Sequence, residues 1–161
     1  AVLKTRPKLV AVLSQVRDPG NAGTVLRAAD AAGADAVIFT DNSVDIYNPK
    51  VVRSTTGSIF HLPIVTGVTV HEAIAGLKAA GLQVFAADGG GDLITELGNQ
   101  TLAAPTAWVF GNEAWGFEPE TLAAADRVVG LPLYGPAESL NLATAASVCL
   151  YQTAFAQRAG F

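Results

Sequence analysis

The sequence predicts an α/β fold in which a mostly parallel sheet is flanked by helices, and three observations lead there. Short apolar runs recur at 9–13, 36–39, 82–87, 106–110 and 128–131. Most are unbroken rather than alternating, as expected of strands covered on both faces. Helical patterns lie between them at 21–32, 70–80 and 119–125, with a long final one from Asn141 to about Arg158. Strand and helix alternate, the order that gives parallel strands joined by crossover helices. The chain has 161 residues, 50% of them hydrophobic and 15% charged, enough to bury a full core as one domain.

These bounds exclude a disordered chain, and no apolar run approaches the length of a membrane span. The N-terminus AVLKTRPKLV lacks the apolar core of a signal peptide, so a cytoplasmic protein is expected. Cys149, the single cysteine, sits in an Ala-rich apolar stretch and reads as a buried, reduced thiol. The chain contains no Met, which suggests a piece of a longer protein. A net charge of −4 argues against a basic body that grips nucleic acid unaided. RNA contacts would then be local, or come from a second subunit or a further domain. His61 and His71 have no companions at metal-ligand spacing, so no metal site is expected. The Gly-rich stretch from Asp88 to Asp92 lacks both G-x-G-x-x-G and a P-loop Lys and reads as a turn. Ser139 has no G-x-S-x-G context, which counts against a serine hydrolase.

Three segments stand out. In the first, Asp18, Pro19 and Gly20 form a turn and Asn21 is placed as the N-cap of a helix with Val25, Ala28, Ala29 and Ala32 at helical spacing. Gly23 and Arg27, four apart, share a face, which would leave a side-chain-free path from the first-turn amides to the guanidinium and suit an anion. A capped surface helix with a solvated Arg has the same pattern. The second, 109–117, leaves a buried strand through Gly111, Asn112, Glu113 and Gly116, and Pro119 opens the next helix. Ligands of parallel α/β sheets bind beyond such strand ends; a capping or surface acid is the alternative for Glu113. In the third, 131–141, Pro132 and Pro136 remove donors, and free backbone groups could hold a flat polar heterocycle among Leu131, Leu133 and Leu140. A plain connecting loop is the alternative.

Together these segments resemble the three motifs of the SpoU (TrmH) family of RNA ribose 2'-O-methyltransferases, in the SPOUT superfamily. N-x-G-x-x-x-R appears as Asn21, Gly23 and Arg27; G-N-E-x-x-G as Gly111, Asn112, Glu113 and Gly116; and L-P-L then S-L-N as Leu131, Pro132, Leu133, Ser139, Leu140 and Asn141. The stretch 48–63 also looks like the family's segment between motifs one and two. The resemblance implies a C-terminal deep trefoil knot, an exception to the rule that chains do not thread. It implies S-adenosylmethionine held by Gly111, Asn112, Glu113, Leu131, Leu133, Ser139 and Leu140. Arg27, Asn21, Glu113 and Asn141 would form the catalytic set, with Arg27 on the hydroxyl and neighbouring phosphate. It also implies a homodimer with the site near the subunit interface, a tRNA or rRNA substrate, and an RNA-binding domain preceding this one. Ala143 departs from the family's usual Ser. A non-catalytic RNA- or nucleotide-binding module of the same fold is the rival reading, and a dehydrogenase is disfavoured by the missing G-x-G-x-x-G.

Overall fold

The computed structural model describes residues 1–160. In chain order the elements are β1 (Leu9–Leu13), α1 (Pro19–Ala32), β2 (Ala36–Thr40), α2 (Pro49–Thr55), β3 (Ile64–Val68), α3 (Val70–Ala79), β4 (Gln83–Leu93), α4 (Asn99–Ala103), β5 (Thr106–Phe110), α5 (Pro119–Ala124), β6 (Arg127–Gly130) and α6 (Leu142–Arg158). The six strands form one sheet in the order β3-β2-β1-β5-β4-β6, and every pairing is parallel. No helix among the described residues is long and apolar enough to cross a membrane.

The unbroken apolar runs have the expected cause. In β1, Leu9, Ala11 and Leu13 enter one core while Val10 and Val12 enter the other. Trp108 and Phe110 of β5 likewise join the first core, and Ala107 and Val109 the second. The first core is roofed by α1 and α6, the second by α3. The largest side chain of the first core, Trp108, meets Phe85 edge-on at 5.3 Å, and its indole N–H donates to Thr153 Oγ1 of α6 at 2.9 Å. Cys149 is buried as expected, and burial pushes its thiol up to about 12.

Three details differ from expectation. A sixth strand, β3, sits at the sheet edge with no fully buried residue; its sequence, IVTGV, is interrupted by Thr66 and Gly67 and gives no core-strand signal. Asn21 is not the cap of α1: the helix begins two residues earlier, with Pro19 in the first turn and Asp18 Oδ1 accepting from Asn21 N at 2.8 Å. Proline needs no N–H partner there, so the aspartate before it takes the capping role. Finally, the Gly-rich stretch from Asp88 to Asp92 is not a turn. It continues β4 along β6, with the pairing of Val129 slipping from Ala87 to Asp92. A Cβ on Gly91 would lie 2.4 Å from Val128 C and O, so only glycine lets the two backbones run this close.

Candidate active site

A cavity of about 490 Å³ opens at the carboxyl ends of β4, β5 and β6, where a parallel sheet offers unpaired backbone groups. Each wall follows from local sequence. The loop after β5 leaves through Gly111, where a Cβ would meet Gly116 O at 2.7 Å. It closes through reciprocal backbone bonds between Asn112 and Gly116, at 2.9 and 2.8 Å, with Gly116 at a φ of 73° that side chains disfavour. Nearly buried Asn112 works as a brace. Its Oδ1 accepts from Ala114 N and Trp115 N within its own loop, and its Nδ2 donates to Gln15 O in the loop after β1 at 2.7 Å.

Glu113 tightens the same junction. Its Oε1 accepts from Arg17 N at 2.8 Å and Asp18 N at 3.3 Å, immediately before the residue that starts α1. The third segment is tied in at the other end, where Asn141 Nδ2 donates to Asn21 Oδ1 at 3.1 Å. Asn141 Oδ1 simultaneously caps α6 by accepting from Ala143 N and Thr144 N. Asn21, Glu113 and Asn141 thus converge on one cavity, Glu113 bracing the entry to α1 and Asn141 capping α6.

The cavity is lined by Gly111, Asn112 and Glu113 from the second segment, by Leu131, Leu133, Ser139, Leu140 and Asn141 from the third, and by Asn21 from the first. Sequence reasoning missed the β4 and β6 side of it, where Asp88, Gly89, Val129 and Gly130 form the wall, and missed Glu138 at the mouth. The glycines that follow a strand were the available signal; the bulged pairing of β4 with β6 has no signature of its own. Gly130 is needed for closeness, since a Cβ would stand 2.9 Å from Asp88 O.

The lining carries three carboxylates, Asp88, Glu113 and Glu138, and no Lys, Arg or His. Such a wall attracts a cation and repels phosphate. Apolar surface from Leu131, Leu133, Leu140 and Leu142 supplies contacts for a flat ring.

Arg27 stands apart. It is exposed on α1, does not line this cavity, and makes no hydrogen bond or ion pair among the described residues. Nor does Gly23 open a path for an anion. A Cβ there would meet Ser54 Cβ at 2.4 Å and Val51 O at 2.7 Å, so this glycine serves close packing of α1 on α2. The amides of Asn21 and Ala22 are already occupied by Asp18. No group of three or more metal-ligating side chains occurs among the described residues.

The family model of the SpoU rRNA methylases matches residues 8–151. The 23S rRNA (guanosine(2553)-2'-O)-methyltransferase RlmP of Bacillus subtilis (strain 168) is 40% identical over 144 residues, 88% of this chain and 56% of that protein. The crystal structure of AviRb from Streptomyces viridochromogenes in complex with AdoMet superposes with a TM-score of 0.82 at 34% identity, covering 94% of this chain and 61% of that one. A structure described for 2-OH methylation on tRNA aligns with a TM-score of 0.83 at 28% identity over 97% of this chain and 99% of its own. The chain spans little more than half the length of RlmP. A sheet of this order, a glycine-walled cavity at its carboxyl edge and a family match across most of the sequence agree: the chain belongs to the SpoU rRNA methylase family.

Proposed function

We propose that this protein transfers a methyl group from S-adenosylmethionine to a ribose 2'-hydroxyl of ribosomal or transfer RNA, with residues 1–161 as its catalytic domain. The observation that carries this reading is the charge of the cavity: three carboxylates and no basic side chain suit a sulfonium and an ammonium, and would oppose a dinucleotide. AviRb, of the same fold, was solved with AdoMet, and RlmP is named for 2'-O-methylation of 23S rRNA. When bound, the cofactor supplies an electrophilic methyl carbon on a cationic sulfur.

The residues of the chain do the rest. Backbone groups at Gly111, Leu131 and Leu140 hold the adenosyl moiety, with Asn112, Leu133 and Ser139 completing its walls and Glu113 and Asn141 orienting the nucleotide. A ribose hydroxyl is a poor acid, so its reaction needs alignment and stabilisation of developing negative charge. Arg27 supplies both, its planar fork gripping the adjacent phosphate bidentately while its charge favours the alkoxide. A guanidinium with a pKa above about 12 is a poor proton acceptor, so the electrostatic role is preferred to that of a general base.

Because Arg27 lies outside the cavity of its own chain, the same reading places it at the interface of a homodimer. In support, Leu133, Tyr134 and Leu140 before α6, and Val148 and Phe155 along it, are exposed large apolar side chains. The family's trefoil knot belongs to this reading as well. It is supported by the path of residues 131–141, which leave β6 beside β4 and return to α6, packed against α1 and α4.

The test is direct. Calorimetry should show binding of S-adenosylmethionine, and labelled methyl should pass from it into total RNA at ribose 2'-oxygens. Arg27→Ala should bind the cofactor as wild type does and lose transfer by orders of magnitude; near-normal transfer removes Arg27 from the mechanism. A folded protein that does not bind the cofactor sinks the proposal.

A further inference from the structure

Arg27 and Asp30 are three residues apart on α1, a spacing at which a guanidinium and a carboxylate reach one another along a helix. No other acid lies in α1. Yet the two do not pair. Asp30 Oδ2 instead accepts from Ser58 Oγ at 2.7 Å and from His61 Nδ1 at 2.7 Å. A carboxylate has no proton to give, so both hydrogens come from the partners.

The placement of these partners follows from the packing of α1. Positions 20, 23, 27 and 30 form one stripe along the helix. At its start, Gly20 and Gly23 abut Lys50 and Ser54 of α2; at its end, Asp30 meets Ser58 and His61, in and just after a short 3-10 turn, Ser58–Phe60. Arg27 therefore rises between them, beside residues 54–58. There the backbone takes left-handed conformations at Thr56 and Gly57, with φ of 48° and 97°. A β-branched residue resists that region, and the distortion presents buried Ser58 to the carboxylate.

We infer that Ser58 and His61 are positioning residues that hold the Asp30 carboxylate against their own turn and so keep it from Arg27. The guanidinium stays free for RNA phosphate and the reacting hydroxyl. The part of this inference that concerns RNA rests on the proposed function; the masking itself does not.

The Arg27 Nε–H resonance, followed by NMR in the full chain, tests the masking. Its exchange rate and position in wild type set the reference. In S58A/H61A it should slow and shift as Asp30 swings to it, and adding D30N should restore the wild-type signal. Methyl transfer should fall by about two- to threefold in the double variant, the size set by an exposed pair at helix spacing, and recover in the triple. A tether that merely fastens the turn to α1 would not recover, because D30N does not rebuild it. Should the double variant unfold, His61→Gln at its exposed site gives a smaller shift of the same sign. An Arg27 signal that ignores these changes, or activity that stays low with D30N, overturns the inference. Wild-type protein that transfers no methyl would overturn the proposed function, while the resonance comparison still decides the masking.

Discussion

Glu113 holds two backbone amides with one carboxylate oxygen, so at the scale of the residue its part in the site is architectural as well as electrostatic. Losing that acceptor should cost about 1 kcal/mol, the usual worth of such bonds. Glu113→Ala should therefore lower the urea midpoint and reduce methyl transfer less than Arg27→Ala does. Glu113→Gln, which keeps an acceptor, should regain most of the stability but less of the cofactor affinity. Asp30 offers a pH test. The His61 hydrogen bond first, and the Ser58 bond second, hold its carboxyl below the ordinary value. The native state thus binds that proton more weakly than the unfolded chain, so the contribution is complete above the unfolded value and lost as pH falls through the folded one. Urea titrations of wild type and Asp30→Asn should show a gap at pH 6 that narrows on acidification below the usual carboxylate range. Cys149, with its thiol raised to about 12 by burial, should resist alkylation in folded protein, and labelling should appear only with denaturant.

At the scale of elements, two glycines decide how closely neighbours approach. Gly23 lets α1 settle on α2, and Gly91 lets β4 run against β6 on the wall of the cavity. Gly23→Ala should destabilise by about 1–3 kcal/mol, because its new methyl meets backbone as well as side chain and cannot be relieved by one rotamer. Gly91→Ala should weaken S-adenosylmethionine binding more than it weakens folding, since β6 is an edge strand free to shift while the cavity depends on its place. Calorimetry beside thermal melts separates the two effects; equal losses would argue that β6 is as constrained as β5. Both glycines were plain in the sequence, but their roles were not. The first read as an open path for an anion and the second as part of a turn, because a glycine reports that something is close without naming it.

For the whole molecule, the distribution of apolar surface makes the prediction. Two cores cover the sheet faces, yet α6 still shows Val148 and Phe155 to solvent, seven residues apart on one side. Sedimentation should find a dimer, and V148E/F155E should give a folded monomer with its cofactor affinity kept and methyl transfer lost. A wild-type monomer with full activity would remove the interface from the reading. The sequence by itself determined the α/β class, because strands buried on both faces must be apolar throughout, and it determined the three segments that meet, because turn formers and strand ends are local chemistry. It also marked Asn21, Glu113 and Asn141. Only the tertiary structure decided that Asp18 caps α1, that β4 continues through its glycines along β6, and that the cavity gathers three carboxylates and no basic side chain while Arg27 stands outside it. These depend on groups separated by tens of residues, such as Asp88 beside Gly130 or Asp30 beside His61. Hydrophobic period and capping pattern act over a few residues, and carry no information about which distant backbone will be the neighbour.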